Sequence, residues 1–115
     1  MTHTRVRKFN TQDTYPEQKL DNDLCQAVIA TGATVFLRGQ VAQDLETRES
    51  LFTDDSGAQA RKAMENVSLL LGEAGSSLEQ ACRVVVYLTD IRYRESVYQE
   101  MGKWFQGGQD GKSAV

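Results

Sequence analysis

The chain has 115 residues, 40% of them hydrophobic and 25% charged, with a net charge of −3. That is the size and composition of one globular domain, residues 1–115, with enough apolar side chains for a core but few to spare, so self-association is a natural supplement. The acidic balance supplies no global field for nucleic acid. No apolar run approaches the ~20 residues that cross a bilayer, and the first ten lack the apolar middle of a secretion signal. Neither a nucleic-acid partner nor a membrane is expected.

The chain opens with "TRVRKF", which alternates weakly in the manner of an edge strand whose charges protect its open side. The basic cluster Arg5–Lys8 is short enough to read as a solvated strand end. His3, the single histidine, falls in a terminus expected to fray. A histidine metal site and a Ser-His-Asp triad both need a positioned imidazole, so neither is expected. Polar residues from Asn10 to Asp23 then separate this segment from the body of the domain.

"CQAVIATGATVFLRGQV" has the pattern of a β-hairpin. Two β-rich runs, Gln26–Ala30 and Thr34–Gln40, flank Thr31-Gly32-Ala33, where glycine supplies the positive φ of a tight turn. Arg38 is the odd member, a guanidinium after Val35-Phe36-Leu37 and before Gly39. One reading is a strand end with its stem on the sheet and its head in water. The other is an anion-binding arginine in a cleft. Cys25 and Cys82 lie far apart and outside any CxxC pair, which predicts neither zinc nor a disulfide framework and suits a reduced, cytoplasmic protein.

After a polar, acid-rich loop the period changes. Ala60, Met64, Val67, Leu71 and Ala74 recur at three- and four-residue steps, predicting an amphipathic helix. Asp55 or Ser56 can cap its start and Gly75 can close its end. Gly72 weakens the last turn by about 1 kcal/mol relative to alanine, which suggests a close neighbouring backbone. "ACRVVVYLTD", Ala81–Asp90, predicts an interior strand covered on both faces. Asp90 can cap a second helix whose Tyr93, Val97, Met101 and Trp104 share one face, most simply a core-packing stripe. The order predicts an α+β domain with helices on one face of a sheet. Subunit contacts would cover the other face. "QGGQDGKSAV" at the end has no pattern of its own.

The segment Gln59–Asp90 closely resembles the central helix and strand of the reactive intermediate deaminase (Rid) family, also described as YjgF-like or L-PSP endoribonucleases. Gln59, Arg61, Glu65-Asn66, "AGSSL" from Ala74 and "VYLTD" from Val86 carry the match. Upstream, "QAV…G…VFLRGQV" is similar to the family's "QAV…G…VFVSGQ" hairpin, and the likeness runs from about Leu24 to Phe105. It implies a chorismate-mutase-like α+β fold, a homotrimer and three ligand clefts at subunit interfaces. It also implies hydrolysis of enamines and imines derived from amino acids, without metal or organic cofactor.

Carried over by position, Gly39 and Gln40 agree with the family. Leu24 stands where the family has a cleft tyrosine, Arg38 where it has a serine, and Tyr98 where it has a cleft asparagine. The family's carboxylate-binding arginine and a water-orienting glutamate follow the second helix. No "ARS"-like segment occurs before Val115, so the domain is expected to lack the family's C-terminal strands. The candidate ligand residues are therefore Arg38, Gly39, Gln40, Leu24 and Tyr98, with a small anionic metabolite as ligand and no catalytic residue assigned. Tyr98 reads equally as a cleft wall or an exposed helix tyrosine. Two functions stay open: an imine deaminase with altered or lost activity, or a non-catalytic trimeric module binding a small carboxylate or a partner. Ribonuclease activity, from the family's older name, finds no histidine pair or basic aromatic face to support it.

Overall fold

Residues 2–105 are described by a computed structural model. The segment Gln106–Val115, patternless in sequence, lies outside them. Among the described residues two strands form the sheet, β1 (Thr2–Asn10) and β2 (Asp23–Thr31), antiparallel with Thr2 opposite Thr31 and Asn10 opposite Asp23. The edge-strand expectation for the N-terminal segment holds, and the strand is longer than "TRVRKF". His3 is not frayed: it pairs with Ala30 within this ladder.

Side chains close the connection between the strands. Asn10 caps the short helix α1 (Thr11–Thr14) by accepting from the Gln12 N–H at 2.7 Å, and its amide donates to Asp21 and Asp23 at 2.8 Å each. The buried Thr11 hydroxyl donates to the Leu20 carbonyl at 2.8 Å and accepts from the Asn22 N–H at 3.0 Å. Asparagine and threonine at these two positions therefore satisfy a loop that has little apolar material to hold it.

Helix α2 (Ser56–Glu73) starts at Asp55, whose carboxylate accepts from the Ala58 N–H at 3.0 Å. It ends in a Schellman turn. The Ser76 N–H donates to the Leu71 carbonyl at 2.8 Å and the Gly75 N–H to the Gly72 carbonyl at 3.1 Å, with Gly75 at φ +79°. Ala60, Met64 and Leu71 are buried as the period requires; Ala74 is the exposed C-cap. The close neighbour expected at Gly72 is not found: a Cβ there would meet nothing within 4 Å among the described residues.

Helix α3 (Arg94–Phe105) follows a 3-10 turn capped by Asp90, which accepts from the Arg92 N–H at 2.9 Å. Val97 and Phe105 are buried, and Met101 and Trp104 pack with Leu78, Ala81 and Val84 around Met64 and Phe105. The stripe is core, apart from Tyr93, which is about half exposed. Gly102 is buried against the β1–β2 connection, where a Cβ would collide with Asn22 Oδ1.

The class is α+β, as expected, but the sheet is assembled differently. β2 pairs with β1 and not with Thr34–Gln40. Gly32 does take the positive φ of a turn (+97°), yet the stretch after it has no ladder partner among the described residues. The predicted strand Ala81–Asp90 is likewise unpaired among the described residues. From Arg83 to Thr89 its exposure still alternates, with Val84, Val86 and Leu88 turned toward the protein. It is covered on one face only. On the other, Tyr87 is 91% exposed, and Phe36 of the first unpaired stretch is 89% exposed. β-branched sequence makes a segment extended and sets which side chains face inward. It does not supply the neighbouring backbone that a ladder needs.

Candidate functional site

Leu24, Arg38-Gly39-Gln40 and Tyr98 sit on three different elements. Leu24 is half-buried on β2, opposite Phe9 of β1. Arg38 is exposed on the extended stretch between β2 and α2 and has no ion-pair partner among the described residues. Its carbonyl accepts from the Gln40 side-chain amide at 3.0 Å, which folds Gln40 back over the arginine's backbone. At Gly39 a Cβ would meet nothing within 4 Å, so no described atom requires glycine there. Tyr98 is half-buried on α3, with the Arg94 guanidinium 5.0 Å from its ring centroid. That cation–π contact, one helical turn long, occupies one face of the ring. Among the described residues no hydrogen bond or ion pair joins Arg38, Leu24 and Tyr98 to one another.

The residue that holds the Arg38 stretch in place is Asn66. It is the most buried polar side chain described, at 2% exposure, on the inner face of α2. Its amide donates to the Val41 carbonyl at 3.2 Å and to the Gln43 carbonyl at 2.8 Å, tying the chain just beyond Gln40 to the helix. A polar residue between Met64 and Val67 on an apolar stripe is the signal for this role, because a buried amide must find partners. That signal is present in the sequence, but nothing local says which carbonyls it will meet.

Beyond the clamp the acidic loop is ordered by its own groups. Gln43 and Ser50 form an isolated antiparallel bridge, and the Leu51 N–H donates to the Ala42 carbonyl at 2.8 Å. The Asp44 carboxylate accepts from the Glu46 and Thr47 N–H groups at 2.8 and 2.9 Å. The Thr47 and Glu46 backbone bonds hold its carboxyl below the usual aspartate range. Asp90 is lowered too, by the Arg92 guanidinium and then by the Arg92 N–H. Both carboxylates serve turns and neither faces the candidate cleft residues through a described contact. Among the described residues no group of three or more His, Cys, Asp or Glu side chains is arranged to hold a metal ion, and no helix is long and apolar enough to cross a membrane.

An α+β domain with an arginine-bearing extended segment clamped beneath a helix defines a broad class, and likeness to known proteins narrows it. The family model described as Endoribonuclease L-PSP matches residues 18–115. A RutC family protein of Pyrococcus abyssi is 31% identical over 87 residues, which span 76% of this chain and 68% of that one. Protein DfrA of Myxococcus xanthus is 32% identical over 91 residues, 78% of this chain and 69% of its own. A crystal structure of a putative endoribonuclease from Thermotoga maritima superposes with a TM-score of 0.62 at 23% identity, covering 92% of this chain and 78% of that one; this likeness speaks for the fold. The chain belongs to the L-PSP endoribonuclease family, the YjgF-like or Rid family.

Proposed function

We propose that this protein is a Rid-type hydrolase of 2-imino acids and their enamine tautomers, working in clefts completed by neighbouring copies in a homotrimer. Family membership carries this reading. In the reaction, water oxygen adds to the imine carbon, the carbon–nitrogen bond breaks, and nitrogen leaves as ammonia with the water protons, giving a 2-oxo acid. The protein has to hold the carboxylate and aim the water, which is positioning and electrostatics with no need for redox chemistry. Arg38 suits the first of these roles. Its guanidinium is exposed, unpaired among the described residues, and matches a carboxylate's geometry. Self-association is supported by Phe36, Val85 and Tyr87, large apolar side chains open to water on extended segments that are unpaired among the described residues.

The test is incubation with 2-iminobutanoate generated in situ, following release of 2-oxobutanoate. Release faster than the buffer control, and slowed in R38A, is the expected result; a rate equal to the control refutes the enzyme reading. A second reading, a non-catalytic module that binds small carboxylates, is favoured by Leu24 at the family's tyrosine position and by the Arg94 cap on Tyr98. It predicts thermal stabilisation by 2-oxobutanoate without turnover.

A further inference from the structure

A second feature lies on the N-terminal strand, apart from the Arg38 stretch. Arg7 adopts φ +55° in the middle of β1, a left-handed conformation that costs a residue with a Cβ and that strands avoid. The ladder keeps one register through this point, Val6 pairing with Ala27 and Lys8 with Cys25, while Arg7 itself takes no partner in it. In a regular strand consecutive side chains point to opposite faces. Here Arg7, Lys8 and Phe9, three consecutive residues, all border one shallow, open cleft of about 420 Å³, together with Thr14, Tyr15 and Gln26.

The chemistry of the lining is one-sided. Arg7 and Lys8 bring two cations, and neither pairs with a carboxylate among the described residues, although Asp13 and Glu17 lie on the same connection. Phe9 and Tyr15 supply aromatic surface, and Thr14 and Gln26 supply hydrogen-bonding groups beside the cations. We propose that this cleft binds a small organic anion, an aromatic carboxylate, with its carboxylate on Arg7 and Lys8 and its ring against Phe9 and Tyr15. Arg7, in its left-handed turn, and Lys8 both border the cleft.

Benzoate is the probe, titrated calorimetrically into the full chain, with benzamide as the neutral isostere and inorganic phosphate as an anion without a ring. Saturable benzoate binding that weakens with salt is expected, with benzamide and phosphate each binding at least several-fold less tightly. Arg7→Asn keeps a residue that tolerates the left-handed backbone and removes the cation. It is expected to lower benzoate affinity by about tenfold or more, the loss of one charge-assisted bond, while leaving the melting temperature unchanged. Lys8→Gln, on the regular part of the strand, is expected to weaken binding without altering the fold. Equal affinity of both variants and the wild type for benzoate overturns the proposal, as does no saturable binding at millimolar benzoate. Phosphate binding as tight as benzoate overturns the aromatic half of the assignment.

Discussion

Replacing Asn66 tests the link between helix α2 and the Arg38 stretch. Its buried amide makes two donor contacts, to the Val41 and Gln43 carbonyls at 3.2 and 2.8 Å. Asn66→Ala removes both, at about 1 kcal/mol each, and leaves a small void on the inner face of the helix; the sum is about 2–3 kcal/mol. For a domain of this length that corresponds to a melting temperature lower by roughly 10 °C. Asn66→Asp is the sharper variant. It preserves shape, but its ionised carboxylate cannot donate and turns a negative charge toward two carbonyl oxygens. The expected stability order in urea titrations at neutral pH is therefore wild type, then alanine, then aspartate, with a common dependence on denaturant. Aspartate as stable as wild type would refute the two-carbonyl clamp. Because the clamp begins one residue past Gln40, both variants should also weaken carboxylate binding at Arg38 beyond any loss explained by unfolding.

Arg38→Ala should leave the melting temperature within about 1 °C of wild type, since the side chain is exposed and unpaired among the described residues. It should lower affinity for 2-oxobutanoate by about tenfold or more, and calorimetry reads both the affinity and its salt dependence. Replacing Phe36 and Tyr87 together with serine should shift sedimentation toward the monomer if those side chains are covered by other copies; an unchanged oligomer argues against that face as the interface. Asp44 supplies a pH test. Its carboxyl is held below the ordinary aspartate value of 3.8, so the stabilisation it provides is fully present above that value and is lost as pH falls through the lowered one. The stability difference between wild type and Asp44→Asn should thus be constant at neutral pH and shrink only in that acidic window. Gly102→Leu should destabilise by about 1–3 kcal/mol, because a side chain there has to displace the Asn22 side chain and packs directly against the Asp21 carbonyl.

The helices were legible because their information is local. Period, an aspartate before the first turn and a glycine after the last are enough to mark α2, and Asp55 and Gly75 occupy those places. The family, too, was legible in motif order from Leu24 to Phe105. The cleft was less so. Positional likeness pointed to Leu24, Arg38 and Tyr98, but it could not show that Arg94 caps the Tyr98 ring or that Asn66 anchors the stretch beyond Gln40. Those contacts join residues far apart in the chain or depend on a rotamer.

Strand pairing separates local from tertiary information most clearly. Which side chains turn inward is written into the residue order: Val84, Val86 and Leu88 face the protein because alternation is a property of the single strand. That β2 pairs with β1 and leaves Thr34–Gln40 without a partner among the described residues emerges only once the chain is folded. So does the placing of Arg7, which in sequence reads as a solvated strand-end charge but takes a left-handed backbone without a ladder partner and borders an open cleft with Lys8. A ladder forms between two backbones at a fixed separation, and backbone groups are alike in nearly every residue, so a side-chain pattern names the strand without naming its neighbour.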